Sequence, residues 1–237
     1  MIKQTETFQP LELDRFVFLG RTWEEYVLLF DINEEELHGK RILDCPGGAC
    51  SFTATANQKG LMSAAVDLAY YYSIEDLEKK GQNDIDYTLS KIEQIKDRCC
   101  WTHVGSMEQL REERTKALTQ CIHDMKANSA RYVPAVLPLL PFSDEAFDIT
   151  LSAHFLFMYA DKIDHHFHLQ TLEEMMRVTR EEIRIFPTTD MNGRKYEQMD
   201  EIKEWSLQKG WEATEHTVPY EFHKNANTML KLRKKRE

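Results

Sequence analysis

The sequence predicts an α/β fold: a doubly wound, mostly parallel sheet with helices on both faces, a C-terminal antiparallel hairpin and extra helices. Three observations carry this reading. Short apolar runs alternate with helical segments, the pattern of strands joined by crossover helices. The run RILDC (41–45) passes directly into Pro46-Gly47-Gly48, a strand-to-helix turn. The end of the chain, WEATEHTVPYEF (211–222) and then NTMLKLRK (227–234), reads as two strands closing on each other.

GRTWEEYVLLF (20–30) opens with a capping box, Thr22 and Glu25, and sets Trp23, Tyr26, Val27 and Phe30 on one helical face. After the strand at 41–45, SFTATANQKG (51–60) is a helix of small residues ended by Gly60. LMSAAVDL (61–68) is the next strand, with Asp67 near its end. Residues 73–128 are mainly helical; their second half has a second capping box, Ser106 with Gln109, and an apolar face of Leu110, Ala117, Leu118, Cys121, Ile122 and Met125. RYVPAVL (131–137) is extended, and FDITLSAHFLF (147–157) is a strand buried on both faces. A helix over 164–178, a strand EIRIFP (182–187) and a helix over 195–210 closed by Gly210 complete the alternation.

Composition bounds the function. The chain of 237 residues suffices for one domain, with residues 1–38 as an N-terminal helical cap and 73–128 as a helical cover. A net charge of −10 argues against a phosphate-binding surface, so no nucleic-acid partner is expected; the basic tail Lys231, Arg233, Lys234, Lys235 and Arg236 reads as a solvated end. Cysteines 45, 50, 99, 100 and 121 show no disulfide framework and read as reduced thiols. The first ten residues lack the apolar core of a signal peptide, and no apolar run reaches membrane-spanning length. A cytoplasmic protein is expected.

A glycine turn gains meaning when an acid stands at the right distance downstream. Bare backbone at Gly47-Gly48-Ala49 lets a ligand approach the main chain. An acid about 20 residues on, here Asp67, commonly accepts ribose hydroxyls. Turn and acid together indicate a cofactor bearing a nucleoside.

Four segments in order, ILDCPGGACSF, AVDLAY, LPFSDEAFDITLSAHFLFMY and EEMMRV with IRIFP, resemble the class I S-adenosylmethionine-dependent methyltransferases over residues 41–187. The resemblance implies a seven-stranded Rossmann-like methyltransferase fold, the cofactor S-adenosylmethionine (SAM) and the product S-adenosylhomocysteine (SAH). It implies that Asp44 and the turn Cys45, Pro46, Gly47 and Gly48 hold the methionine part, Asp67 the ribose, and Leu68, Val136 and Leu137 the adenine, with Ser152 also at the cofactor. The N-terminal helix would fold over the cofactor, adding Arg21, for the methionine carboxylate, and Tyr26. The turn departs from the family pattern: Pro46 and Cys50 replace two of its glycines, and no carboxylate stands at 136–137.

Methyl transfer asks for alignment and exclusion of water, with a general base only when the acceptor arrives protonated. His154, at the rim after the fourth strand, is the candidate base, beside the alternative of a structural histidine bonded to a carbonyl. Tyr159 could shape the acceptor pocket. DHHFH (164–168) brings His165 and His168 near Asp161 and Asp164, but no second cluster has ligand spacing; a solvated helix start is expected and no metal. The acceptor expected is a small molecule, with a protein or RNA as the other option. Two rival readings are a non-catalytic methyltransferase-like interaction protein, suggested by the altered turn, and a nicotinamide-dependent oxidoreductase, which lacks its G-x-G-x-x-G series here.

Overall fold

The computed structural model describes residues 15–235. The first ten residues and Arg236 of the basic tail therefore lie outside the described residues. Seven strands form one sheet: β1 (Arg41–Asp44), β2 (Met62–Asp67), β3 (Tyr132–Pro134), β4 (Phe147–Ala153), β5 (Thr179–Phe186), β6 (Trp211–Thr217) and β7 (Thr228–Lys234). Their order is β3-β2-β1-β4-β5-β7-β6. β7 runs antiparallel to both β5 and β6, and the remaining neighbours pair in parallel. This is the doubly wound, seven-stranded Rossmann-like methyltransferase sheet that the sequence predicts.

Strand alternation builds two cores. Successive side chains leave opposite faces of a strand. Ile42 therefore joins one apolar layer and Leu43 the other, and Ala65 and Val66 divide in the same way. The first layer is closed by α1 (Trp23–Leu29), α2 (Phe52–Gln58), α3 (Ile74–Glu93) and α4 (Met107–Ala127). The second is closed by α5 (His165–Val178) and α6 (Met199–Gln208). β4 lies between them, buried at every position.

The capping box at Thr22 and Glu25 forms in both directions. α1 then stacks Trp23 and Tyr26 on Phe52 of α2, with ring centroids 5.3 and 4.8 Å apart. α4 packs against both α3 and α2. Its contact with α3 depends on Gly81, where an added Cβ would stand 2.5 Å from Cδ1 of Leu118.

Four local expectations are corrected. β4 stops at Ala153 rather than 157, because His154 takes a left-handed conformation with φ +54° and ends the ladder. Ser106 caps α4 through the N–H of Gln109, and no return bond from the Gln109 side chain accompanies it. α6 begins at Met199, four residues later than expected, since Lys195 instead bridges to Thr189. The start of α5 is not simply solvated. Asp164 caps it by accepting from the N–H of Phe167, and His168 is fully buried between the carbonyls of Asp164 and Leu156.

Candidate active site

In a parallel sheet, ligands bind outside the carboxyl ends of the strands, where the strand order reverses. Here that point lies between β1 and β4, and the register brings Asp44 level with Ala65 and Leu151. A cavity of about 620 Å³ opens at this edge, within the usual range for a small-molecule site. Its wall includes Arg21, the turn Cys45–Gly48, Asp67, Leu68, Val136, Leu137 and His154. Most of the residues expected at the site thus share one cavity. Tyr26, Asp44 and Ser152 do not reach it.

The turn after β1 is fastened to its neighbours. The N–H of Gly47 donates to the Val66 carbonyl at 2.9 Å, and that of Gly48 to Oδ2 of Asp67 at 2.9 Å. Gly48 has φ +53°, a conformation that glycine tolerates without strain. A Cβ on Gly47 would stand 2.8 Å from both Cβ of Ala65 and the Tyr70 hydroxyl oxygen. The Tyr70 hydroxyl in turn donates to the Gly48 carbonyl at 2.9 Å. Pro46 has no N–H, so positions 46 to 48 keep no free backbone donor.

Asp67 ends β2, and its second oxygen accepts the N–H of Ala69 at 2.8 Å. The carboxylate is thus held in one orientation, and each oxygen keeps acceptor capacity for a ligand. Burial raises its pKa, against the lowering effect of these two bonds. On either side, Leu68 and Val136 are more than half exposed, apolar surfaces suited to the faces of a purine.

Asp44 lies behind the turn, fully buried. Its Oδ1 accepts the Tyr26 hydroxyl at 2.9 Å, and Oδ2 has no partner. Burial pushes its pKa well above the carboxylate range, with the nearby Asp67 adding to the rise. These contacts make Asp44 a core residue, held by the buried Tyr26 hydroxyl. Ser152 is fully buried on β4 with an unpartnered hydroxyl, while its neighbours Ala153 and His154 line the cavity.

Residues 1–14 of the expected helical cap lie outside the described residues. α1 itself packs against α2; the residues before it, Phe16 to Leu19, border the cavity. Asp84 of α3 holds this segment through the Phe18 N–H at 2.7 Å and Arg15 at 2.8 Å. Phe16 rests against Tyr159, centroids 4.7 Å apart. Arg21 comes next, its N–H on the sulfur of Cys50 and its carbonyl accepting the Ser51 N–H. The Arg21 Nε is buried without a hydrogen-bond partner, 3.9 Å from Oε1 of Glu25.

Glu25 also serves as the buried counterion of Arg114 on α4, in a bidentate pair joined by the Tyr220 hydroxyl at 3.0 Å. Burial alone would raise its pKa; Arg114 and the other donors outweigh that and hold it at about 2. The sequence shows Glu25 only as a capping residue and does not single out Arg114. The one signal for the latter is a charged residue four after Leu110 and four before Leu118, inside an apolar stripe.

His154 lines the cavity with Nδ1 unpartnered and its N–H on the Phe186 carbonyl. Burial, and then Arg21, Arg114 and His223, depress its pKa well below 6.5. The imidazole is therefore neutral at pH 7 and can accept a proton. Tyr159, His223 and Thr88 complete this part of the wall, the last two unforeseen. Among the described residues no cluster of three or more His, Cys, Asp or Glu could hold a metal, and no helix is long and apolar enough to cross a membrane.

Over 225 residues, covering 94% of this chain and 99% of the relative, the sequence is 33% identical to the uncharacterized protein MJ0045 of Methanocaldococcus jannaschii. The two belong to one family. No family model matches the chain. Among solved structures, magnesium protoporphyrin IX methyltransferase from Synechocystis PCC 6803 with bound SAH is similar with a TM-score of 0.48 and 11% identity, over 89% of this chain and 80% of that one. A SAM-dependent methyltransferase from Aquifex aeolicus gives 0.40 and 14%, over 88% and 91%. The fold assignment here comes from strand order and the antiparallel β7.

Proposed function

We propose that this chain is a SAM-dependent methyltransferase acting on a small-molecule acceptor in the cytoplasm. The observation that carries the reading is Asp67, fixed at the end of β2 by the N–H groups of Gly48 and Ala69 and facing a cavity at the switch point of the sheet. The residues present fit the cofactor. Asp67 suits the ribose hydroxyls and the surfaces of Leu68 and Val136 suit the adenine. Arg21, a nearly buried guanidinium with an unused Nε, suits the methionine carboxylate, a task for which positions 46 to 48 have no free N–H. Bound SAM supplies a methyl group already activated by its sulfonium.

The chain's own part is to orient and to exclude water. The segment from Phe16 to Leu19 and helices α3 and α4 wall the cavity, and would keep water from the methyl group of a bound cofactor and from the acceptor. Neutral His154 takes the acceptor's proton on Nδ1 where the acceptor arrives protonated. No nucleic acid or membrane partner is part of this reading.

Calorimetric titration with SAM and, separately, SAH tests it: micromolar binding of both is expected. Asp67→Asn removes the charge on an acceptor of two ribose bonds. At about 1.5–3 kcal/mol for each charged hydrogen bond, SAH affinity falls at least tenfold. Unchanged affinity would refute the ribose assignment. A second reading, a non-catalytic cofactor-binding protein, is favoured by the donor-free turn; binding without turnover across a broad acceptor panel is its signature.

A further inference from the structure

The acceptor side of the cavity has a chemistry of its own. Five of its walls are Ile85, Leu89, Ile92, Leu110 and Phe222, and Met158 closes it from the segment after β4. α3 supplies a continuous row: Lys80, Asp84, Thr88 and Ile92 succeed one another at i, i+4 spacing on one face. At about 1.5 Å per residue, Lys80 and Ile92 stand roughly 18 Å apart along the helix axis. Within this apolar chamber Thr88 is buried and its Oγ1 has no hydrogen-bond partner.

The charges at its border are unbalanced in one direction. Asp84 is buried and carries two cations, Lys80 at 2.6 Å and Arg15 at 2.8 Å. Glu25 likewise serves both Arg114 and Arg21. Each buried carboxylate thus leaves one positive charge over among the described residues. Lys162 is matched by Asp161, and among the described residues the only carboxylate in the cavity wall is Asp67. A chain of net charge −10 has built a cavity bordered by Arg21, Lys80, Arg114 and Lys162. A cationic border with apolar walls selects an apolar anion, the walls taking its body and the half-exposed cations at the mouth taking its charge.

We propose that the methyl acceptor is an elongated, predominantly apolar organic acid whose body lies along α3 and whose anionic group faces the Lys80–Asp84–Arg15 group. This rests on the methyltransferase reading for the word acceptor, but the binding preference itself does not. Arg21 is left for the cofactor carboxylate, so the excess charge at Asp84 is the one available to the acceptor. The unpartnered Thr88 hydroxyl would donate to a carbonyl oxygen or accept from a hydroxyl of this acid, and the unpartnered His154 Nδ1 would accept from a hydroxyl.

Two fluorescent probes of similar size test the idea: anionic 1-anilinonaphthalene-8-sulfonate and neutral N-phenyl-1-naphthylamine, each titrated into the full chain with and without SAH. The sulfonate should bind at least tenfold more tightly. Lys80→Met should weaken the sulfonate about tenfold and leave the amine and SAH unchanged. Leu89→Gln should weaken both probes and leave SAH unchanged. Equal affinities, or preference for the neutral probe, would overturn the acidic character. An unaffected sulfonate in Lys80→Met would overturn the anion's position, and unaffected probes in Leu89→Gln would overturn the chamber as the binding place. Failure of SAH to bind would refute the cofactor reading alone, since the probe comparison on the free protein still decides this one.

Discussion

Removing Arg114 should make the protein's stability depend on pH in a way that identifies Glu25. In the native chain the Glu25 carboxylate is buried and accepts from Arg114, Tyr220 and the Thr22 N–H. Its pKa lies at about 2 instead of 4.5. That difference corresponds to about 3 kcal/mol of stability, fully present above pH 4.5 and lost as pH falls toward 2. In Arg114→Met the burial remains while the main counterion is gone, so the carboxyl's pKa rises above 4.5. The charged form is then penalised at neutral pH and relieved on acidification. The deficit against the native chain should be about 3 kcal/mol at pH 7, at the low end for a broken buried pair because Arg21 and Tyr220 remain. The native chain keeps most of its own contribution down to pH 4, so the deficit should shrink by about 1 kcal/mol or more between pH 7 and pH 4 as the variant's penalty is relieved. Urea unfolding monitored by tryptophan fluorescence at pH 4, 5.5 and 7 measures it. The double variant Arg114→Met/Glu25→Gln should recover most of the loss at pH 7. A deficit that stays constant with pH, or a double variant no better than the single one, would refute the assignment of the cost to an unpaired Glu25.

Tyr26→Phe should cost about 1–3 kcal/mol, because Asp44 loses its hydroxyl donor inside the core. SAH affinity measured by calorimetry should stay within about twofold, since neither residue lines the cavity. With an acceptor found by screening, turnover should hold level from pH 8 down to pH 6. His154 stays neutral through that range, as burial, Arg21, Arg114 and His223 all oppose its protonation. His154→Asn, which keeps a residue tolerant of positive φ, should lower kcat by about a hundredfold or more; an acid limb near pH 6.5 or an unchanged kcat would exclude His154 as the base.

What can be read from the sequence divides along a physical line. Strand and helix periodicity, the Thr22 capping box, the glycine stops at 60 and 210 and the closing hairpin are local signals, and each corresponds to an observed element. Asp67 is visible for the same reason, since strand length and turn spacing fix where a strand-end acid lies. The misplacements arise where one group's role is set by a partner far along the chain. Asp44 occupies the motif position of a ligand-binding acid, yet Tyr26, 18 residues earlier, holds it in the core. Glu25 meets Arg114 across 89 residues and Asp84 meets Phe18 across 66. No periodicity encodes such pairs; each charged residue is legible only as an interruption in an apolar stripe. Pro46 belongs to both classes. Locally it removes an N–H from the turn, which alone suggests a weakened cofactor site. The tertiary structure answers with Arg21, brought to the same turn by the Cys50 sulfur and the Ser51 N–H. A carboxylate that loses a neutral backbone donor and gains a nearly buried guanidinium is bound more strongly, because charge-assisted hydrogen bonds are about twice as strong as neutral ones. On the proposed cofactor reading, the altered turn and the N-terminal segment act as one device: a backbone cradle is exchanged for a side chain delivered from residue 21, and the segment that delivers it also walls the cavity.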